Sequence, residues 1–441
     1  MNKSFRWLGT FCLIALLAMT ISGYGRRDAL RAEAKPITLR FSWWGGDARH
    51  KATLAAIAAY EKKNPNVKIE GEYQGFDGYL QKLMTQLVGN TAPDLFQFDY
   101  LWKEDLAARG DNFLDFRKAK GVDLKQFPAK VLKDFCSIKG KLVGLPMGTN
   151  GFGVVINKPF FQKFGLSPDT EWTWDKVIEE GRRIHSQDKN AYLIAFDPGG
   201  AAGGIGEYVL GNYIRSKTGK YWLGNNFNIA VAKKELAEAF RVMRDLYGSG
   251  AAQPLGEAAL FDGKQEQNPK WINNQLGMLT VWSGSAGNFK QAIKPENFAV
   301  NQPIFVKGGK DHSVSFKPSL LLGISKGSPN AKEAVKFANW LLNDKEAALI
   351  LTDQRSIPTS EVAKQTIVDA NKVDSDIAKL VNYAVKNPAT PPPVSAGNTQ
   401  IAEILKDECT KVVFGRLTPE QAADELVKRV QPRLNELKGK K

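Results

Sequence analysis

Residues 37–73 read ITLRFSWWGGDARHKATLAAIAAYEKKNPNVKIEGEY and predict a strand, a helix and a second strand in that order. Apolar and polar residues alternate in ITLRFSW and again in NVKIEGEY, which is typical of β-strands. An apolar stripe at helical spacing lies between them, and Asn64-Pro65 ends the helix. We expect the carboxylate of Asp47 to cap the start of this helix. A strand, a helix and a strand in succession indicate a parallel sheet in an α/β fold.

The same pattern continues along the chain. GYLQKLMTQLVGN (residues 78–90) predicts a second helix with one apolar face, and PDLFQFD (residues 93–99) predicts a third strand. A second series of strands and helices begins near Leu145, with GFGVVINK (residues 151–158) as its first strand. The chain has 441 residues, of which 43% are hydrophobic and 24% charged. This length and composition are sufficient for two domains with substantial cores.

The N-terminus has the pattern of a secretory signal peptide. Lys3 and Arg6 precede the apolar run LGTFCLIALLAMTIS, and an A-x-A sequence ends at Ala34. We therefore assign residues 1–34 to a signal peptide, with cleavage nearer Gly23 or Gly25 as the alternative, and expect a periplasmic or extracellular protein. TISGYG resembles the lipobox of bacterial lipoproteins, but Tyr24 stands where the lipidated cysteine should be, so no lipid anchor is expected.

The net charge of the whole chain is +15, and the basic character belongs to the mature protein. Removing the leader takes away five basic and two acidic residues and leaves about +12. A basic surface favours acidic partners. Export makes nucleic acid an unsuitable partner, so anionic sugars and anionic lipids remain.

The sequence contains no familiar catalytic or metal-binding motif. The three histidines are scattered, and neither H-E-x-x-H nor a P-loop occurs. SGSAG (residues 283–287) differs from the G-x-S-x-G nucleophile elbow at its first position, and we expect a tight loop there. Cys136 and Cys409 could pair in an oxidising compartment or stay buried as free thiols, and no C-x-x-C is present. We predict a protein without enzymatic activity, cofactor or metal.

Four segments together resemble the extracellular solute-binding proteins of carbohydrate ABC importers. Each segment alone is only weakly diagnostic of the family, but their order and spacing together are specific. The resemblance runs from about Ile37 to the C-terminus. The segments are SWWGG followed by ATLAAIAAYEKKNPNVKIE, then KLMTQLVGNTAPDLFQFD, then GLPMGTNGFGVVINKPFFQKFGL, and last GISKGSPNAKEAVKFANWLLNDKEA.

The resemblance implies the periplasmic-binding-protein fold, in which two discontinuous α/β lobes are joined by a hinge and the ligand lies in the cleft between them. We expect residues 36–147 with 312–356 to form the first lobe, and residues 148–311 with 357–441 to form the second. Such lobes close around a ligand by hinge motion. The implied function is capture of an oligosaccharide and its delivery to a membrane ABC permease, by a monomer.

SWWGGDARHKATL and YQGFDGYLQKLMTQL resemble the binding proteins for pectin-derived oligogalacturonides most, which implies an acidic, uronate-containing ligand. Two positions depart from the pattern. The family often has a tyrosine pair before Asn157, where this chain has valine and isoleucine, and Ser283 stands where close relatives often carry an acid. The alternatives are a neutral oligosaccharide, a glycerophosphodiester, a sugar-presenting sensor, or a secreted carbohydrate-active enzyme.

The adjacent rings of Trp43 and Trp44 are candidate sugar-stacking groups, because ligands of open α/β sheets bind beyond the carboxyl ends of strands. Strand alternation sends the two rings to opposite faces, so we expect one of them to face the cleft, and we favour Trp44. The other candidates lie near strand ends or in loops. The complete set of candidate ligand-binding residues is Trp43, Trp44, Gly45, Gly46, Asp47, Arg49, His50, Asp99, Trp102, Asn150, Trp222, Trp282, Lys317 and Arg355.

An acidic sugar requires cations in the site. Arginine can hold a carboxylate through two parallel N–H groups. Arg49, Lys317 and Arg355 are the cations that the sequence places near strand-to-loop junctions, and we expect them to contact the carboxylates of a uronate.

Overall fold

The structure, a computed structural model, describes residues 36–199, 204–311, 317–386 and 392–439. The predicted leader, residues 1–34, lies outside the described residues. The larger strands fall into two separate sheets, one of five strands and one of four. Within the described part of the chain, no helix is both long and apolar enough to cross a membrane.

The described chain alternates short strands with helices of up to six turns. The strands are β1 (Ile37–Trp44), β2 (Val67–Gln74), β3 (Leu95–Phe98), β4 (Ser137–Ile138), β5 (Lys141–Leu142), β6 (Leu145–Pro146), β7 (Thr149–Asn150), β8 (Phe152–Asn157), β9 (Tyr192–Ala195), β10 (Leu223–Gly224), β11 (Asn228–Ile229), β12 (Leu276–Trp282), β13 (Phe298–Asn301), β14 (Lys317–Pro318) and β15 (Leu321–Ile324). The helices are α1 (Asp47–Lys63), α2 (Tyr79–Val88), α3 (Lys103–Ala107), α4 (Ala129–Asp134), α5 (Lys158–Lys163), α6 (Trp174–Gln187), α7 (Asn212–Thr218), α8 (Lys233–Gly248), α9 (Leu255–Ala258), α10 (Pro269–Ile272), α11 (Ser283–Ile293), α12 (Ala331–Asn343), α13 (Lys345–Leu351), α14 (Glu361–Asp369), α15 (Ser375–Lys386), α16 (Thr399–Val413) and α17 (Pro419–Gly439).

The first sheet has the strand order β2-β1-β3-β15-β6. β1 runs parallel to β2 and β3, while β15 runs antiparallel to β3 and β6. Helix α1 connects β1 to β2 and α2 connects β2 to β3, which confirms the predicted α/β pattern. The core of this lobe includes Phe41 of β1, whose ring lies 5.9 Å from that of Phe337 in α12. Because β15 and α12 come from late in the chain, this lobe is discontinuous.

The second sheet has the order β13-β8-β12-β9. β8 runs antiparallel to β12 and β13, and β9 runs parallel to β12. One face of this sheet is covered by a core that includes the apolar sides of α8, α16 and α17, and the other by α11 and α15. The second lobe is therefore completed by the C-terminal helices and is also discontinuous.

Three chain segments cross between the sheets and pair with one another. β7 pairs with β14, and Thr149 of β7 also bridges to Ile357. The molecule thus has the expected periplasmic-binding-protein fold, two discontinuous α/β lobes joined at a hinge. The lobe boundaries at residues 147 and 356 stay a prediction.

Two local expectations were wrong. Gly46, not Asp47, is the N-cap of α1, and Asp47 stands in the first helical turn instead. SGSAG is not a loop but the first turn and a half of α11, which begins at Ser283. Serine and glycine are poor helix formers, but the Gly284 N–H donates to Asn150 Oδ1 at 2.9 Å and so finds a partner from a distant segment.

The two described cysteines are free and buried. Cys136 lies in the core of the first lobe and Cys409 in that of the second. Their separation into different cores excludes a disulfide in this structure.

Candidate ligand-binding cleft

The candidate site is a cleft of about 340 Å³ between the two lobes. Its walls are formed where β1, β2 and β3 of the first lobe and β9 and β12 of the second lobe end, together with the residues that follow them. This volume lies within the roughly 300–1,000 Å³ that is usual for small-ligand sites. The location agrees with the rule that ligands bind beyond the carboxyl ends of strands.

Ten of the predicted residues line this cleft, and their contact with a ligand stays a prediction. They are Trp44, Gly45, Gly46, Asp47, Arg49, His50, Asp99, Asn150, Trp282 and Lys317.

The other four predicted residues lie outside the cleft lining. Trp43 is fully buried, and its ring stacks on that of Tyr73 at 5.0 Å. Trp102 packs behind Trp44 at 5.2 Å between ring centroids. Trp222 is buried in the core of the second lobe, and Arg355 is buried at the hinge. A role for these four in direct ligand contact would need the cleft to open or rearrange.

Strand alternation explains the tryptophan pair at the end of β1. Trp43 points toward α1 and fills the core, while Trp44 points to the opposite face and reaches the cleft. Only 7% of the Trp44 surface is exposed to solvent, because Tyr79 and Trp102 pack against its ring. Across the cleft, Trp282 offers a half-buried ring from the second lobe. The apolar C–H faces of sugars pack well on such rings.

Gly45 and Gly46 permit close packing in the cleft, Gly45 within the first lobe and Gly46 between the two lobes. A Cβ at Gly45 would lie 2.5 Å from Cδ of Arg49. A Cβ at Gly46 would lie 2.6 Å from Nδ2 of Asn288, which belongs to α11 of the second lobe. Any side chain at these two positions would therefore force groups of the cleft apart.

Two arginines are buried close together near the hinge. Arg49 donates from Nε to Gln354 O at 3.0 Å, from Nη1 to Trp44 O at 3.2 Å, and from Nη2 to Gly284 O at 2.8 Å. Burial lowers the pKa of Arg49 to about 10, so its guanidinium remains charged at neutral pH.

Arg355 donates to Gln97 Oε1 at 3.1 Å and to Thr53 Oγ1 at 2.9 Å. Burial and then the neighbouring charge of Arg49 lower the pKa of Arg355. Within the described ranges, no carboxylate forms an ion pair with either arginine. The first lobe thus carries two buried positive charges whose hydrogen-bond partners, among the described residues, are all neutral.

A third buried cation is neutralised by the protein itself. Lys317 Nζ lies 2.9 Å from Asp99 Oδ2, and both side chains are 6% exposed. The same ammonium lies 4.3 Å from the ring centroid of Trp282 and 5.6 Å from that of Tyr100. Lys317 therefore joins a carboxylate of the first lobe to a ring of the second.

His50 lines the cleft with a defined tautomer. Its Nδ1 accepts a hydrogen bond from Trp43 Nε1 at 3.1 Å, so Nε2 carries the proton of the neutral ring. Burial and then the charge of Arg49 lower the pKa of His50, which favours that neutral form.

The cleft also contains carboxylates that the sequence did not single out as ligand groups. Asp77 comes from the loop after β2, and Asp197, Asp262 and Glu266 come from the second lobe. Burial raises the pKa of all four, and the carboxylate of Asp262 further raises that of Asp197, to about 7. Asp197 could have been found from its place two residues after the strand AYLIA, as Asp99 was found after LFQF. The loop that carries Asp262 and Glu266 has no strand pattern that would have indicated it.

The comparison with known families identifies the protein class. The family model described as "Bacterial extracellular solute-binding protein" matches residues 47–348, which is more than half of the chain. This chain belongs to that family. Members of the family bind a solute outside the cytoplasm and deliver it to an ABC permease; the family is one of binding proteins and not of enzymes.

Relatives of this solute-binding protein have diverse ligands in their names. A probable amino-acid ABC transporter periplasmic-binding protein of Sinorhizobium fredii is 26% identical over 86% of this chain and 85% of its own length. The sn-glycerol-3-phosphate-binding periplasmic protein of Escherichia coli is 23% identical over 94% of this chain and 96% of its own.

Two solved structures share the fold closely. A periplasmic solute-binding protein of Pectobacterium atrosepticum has a TM-score of 0.82 and 27% identity, covering 91% of this chain and 99% of its own. The oligogalacturonide-binding protein of Yersinia enterocolitica, solved with saturated digalacturonic acid, has a TM-score of 0.82, 24% identity and the same coverage. At that identity the second likeness concerns the fold alone.

A hydroxyl network fixes the hinge beneath the cleft of this solute-binding protein. Ser283 Oγ accepts from Gly151 N at 3.0 Å and donates to Asn150 Oδ1 at 3.2 Å. It also lies 2.7 Å from Ser356 Oγ, which donates to Thr149 O at 2.5 Å. Ser283, which the sequence marked as a missing acid, is therefore a buried hinge residue.

Proposed function

We propose that this protein captures an oligosaccharide bearing at least one uronate in the cleft and delivers it to a membrane ABC permease. The observation that carries the proposal is the pair of buried guanidiniums, Arg49 and Arg355, that have no carboxylate partner within the described residues. One of the two, Arg49, lines the cleft.

A buried charge is unfavourable unless an opposite charge compensates it. Arg49 uses one N–H of each nitrogen on a backbone carbonyl, so its two terminal nitrogens each retain one N–H for a ligand. A sugar carboxylate at this position would accept charge-assisted hydrogen bonds and supply the missing negative charge. The rings of Trp44 and Trp282 would then pack on the apolar faces of the sugar.

A neutral oligosaccharide is the second candidate, and the acidic residues of the cleft favour it. Asp77, Asp197 and Asp262 can accept hydrogen bonds from sugar hydroxyls. They would repel an oligosaccharide in which every sugar unit carries a carboxylate. In that case Lys317 and Asp99 would act as a neutral pair that binds hydroxyls from both sides.

Isothermal calorimetry on the ligand-free protein distinguishes these two candidates. We expect digalacturonate or a glucuronosyl-xylobiose to bind with an affinity that falls as salt concentration rises, and xylotriose to bind at least about tenfold more weakly, which is about 1.4 kcal/mol. Chromatography of the ligand after incubation should show it unchanged. Preferential binding of xylotriose would overturn the uronate assignment, and a consumed ligand would overturn the binding-protein mechanism.

The variant Arg49→Met gives a sharper test. We expect it to lose at least about tenfold in uronate affinity relative to its xylotriose affinity, again about 1.4 kcal/mol. The ratio of affinities is the readout, because the variant removes a buried charge but also three hydrogen bonds to backbone carbonyls, and these two changes act on stability in opposite directions. A role in structure alone would lower the unfolding temperature and leave the relative affinities unchanged. Arg416→Met, at an exposed site, is the matched control.

A further inference from the structure

The two ends of the cleft differ in charge. The hinge end, defined by Arg49, His50 and the Lys317–Asp99 pair, lies near the segments that cross between the lobes. The outer end is defined by Asp77, Asp197 and Asp262. The sheet order sets this separation, because Asp77 follows β2 and Asp197 follows β9, and both strands are edge strands of their sheets.

The carboxylates of the outer end come from both lobes and approach one another. A Cβ built on Gly263 of the second lobe would lie 3.1 Å from Asp77 Oδ1 of the first lobe. Asp197 Oδ1 accepts from Gln265 Nε2 at 2.9 Å and from Gly263 N at 3.3 Å. The outer end is thus a place where one lobe presents an acidic group directly to the acidic groups of the other.

Two lysines lie near the outer end, and one of them, Lys264, lines the cleft. Lys264 and Lys406 lower the pKa of Asp77, and Lys406 lowers that of Asp262, but burial raises both by more. The neighbouring phenol of Tyr208 adds no positive charge, and burial raises its pKa.

Glu266, whose pKa burial raises, adds a further carboxyl near Asp47 of the first lobe. A negatively charged group of a ligand would therefore meet an environment that already disfavours negative charge.

An unpartnered hydroxyl indicates that this side of the cleft receives a ligand group. Thr280 is 5% exposed and lines the cleft, and its Oγ1 has no hydrogen-bond partner among the residues that the structure describes. It lies on β12, which runs parallel to β9, so it stands beside the segment that leads to Asp197. A buried hydroxyl without a partner is unfavourable until a ligand supplies one. The hydroxyl groups of an uncharged sugar would satisfy Thr280 and the carboxylates together.

We propose that the ligand is a mixed oligosaccharide, with a uronate unit at the hinge end and an uncharged, hydroxyl-rich sugar unit at the outer end. This inference rests on the proposed function and narrows its substrate class. An oligomer made only of uronates would bring a second carboxylate against Asp77, Asp197 and Asp262. An aldouronic acid, a neutral oligosaccharide that carries one uronate, matches both ends.

Calorimetry with three ligands tests the inference at pH 7.5. The ligands are glucuronosyl-xylobiose as the mixed sugar, digalacturonate as the all-uronate sugar, and xylotriose as the neutral sugar. We expect the mixed sugar to bind at least tenfold more tightly than digalacturonate. At pH 5 this ratio should shrink severalfold, because the pKa of Asp197 is raised to about 7 and its protonation removes part of the repulsion.

The variant Asp77→Asn should reduce the ratio of mixed-sugar affinity to digalacturonate affinity severalfold, because it removes a charge that repels the second carboxylate. The cleft partly covers the Asp77 carboxylate, but the residue as a whole is exposed, so the substitution should not affect folding. The pH comparison on the wild-type protein needs no variant. Equal binding of both uronates, with no response to Asp77→Asn or to pH, would overturn the inference and leave the proposed function intact. Binding of xylotriose alone would overturn the proposed function, and with it the inference.

Discussion

Replacement of Asp197 by asparagine should remove a pH-dependent loss of stability from the ligand-free protein. The carboxyl of Asp197 is half-buried and accepts hydrogen bonds from Gln265 and Gly263. An asparagine oxygen can accept the same bonds, so the variant removes the charge and keeps the acceptor. Burial, and then the carboxylate of Asp262, raise the pKa of Asp197 to about 7.

The sign and size of the effect follow from proton linkage. A carboxyl whose pKa is raised in the folded state contributes stability that is fully present below the unfolded pKa of 3.8 and is lost as pH rises through about 7. Each pKa unit corresponds to 1.36 kcal/mol, so the full loss is about 4 kcal/mol, and about 2.5 kcal/mol of it develops between pH 5 and pH 8.

Urea unfolding of the ligand-free protein at pH 5 and pH 8, followed by tryptophan fluorescence, measures this difference. We expect the advantage of Asp197→Asn over the wild type to be about 2.5 kcal/mol larger at pH 8 than at pH 5. Glu296→Gln, which removes an exposed carboxylate from the same lobe, should show no such difference. An advantage of Asp197→Asn that is equal at both pH values would refute the reasoning.

Three further predictions concern packing, thiols and ligand stacking. Gly181→Ala should destabilise the protein by about 1–3 kcal/mol in urea unfolding, because its Cβ would lie 2.3 Å from that of a neighbouring alanine, whereas Gly248→Ala, with open space around it, should not. Cys136 and Cys409 should react with a thiol reagent only after unfolding, since both are buried and burial raises the pKa of each; rapid reaction of native protein would contradict this. Trp282→Ala should weaken sugar binding at least tenfold, about 1.4 kcal/mol, and an unchanged affinity would exclude the ring from the site.

The sequence located the cleft because strand periodicity is a local signal. A residue just after a buried strand of a parallel sheet must lie near the ligand edge, so Trp44, Asp99 and Trp282 could be placed without coordinates. The same rule could not separate Trp44 from Trp102, since which ring faces the cleft depends on packing between distant elements. Trp102 follows a strand end as well, but it packs behind Trp44.

The features that could not be predicted from the sequence depend on contacts between residues far apart in the chain. SGSAG has the composition of a loop, but the N–H of Gly284 gains a partner in Asn150, more than a hundred residues earlier. Asp77 and Asp262 lie in unremarkable loops and become one acidic cluster only when the lobes face each other. The charge of the outer end of the cleft is therefore a property of lobe arrangement and could not be inferred from spacing along the chain.

Arg49 also connects ligand charge to lobe closure. Its helix belongs to the first lobe, but Nη2 donates to Gly284 O of the second lobe at 2.8 Å. Opening the cleft would break this bond and return water to the guanidinium, which favours the charged group. Closure without an anion buries the charge with neutral partners only, whereas closure on a uronate adds a carboxylate at the moment that water is excluded. The free energy of closure should therefore depend on the charge of the ligand at the hinge end, which would make a single buried arginine the link between recognition and the closed state.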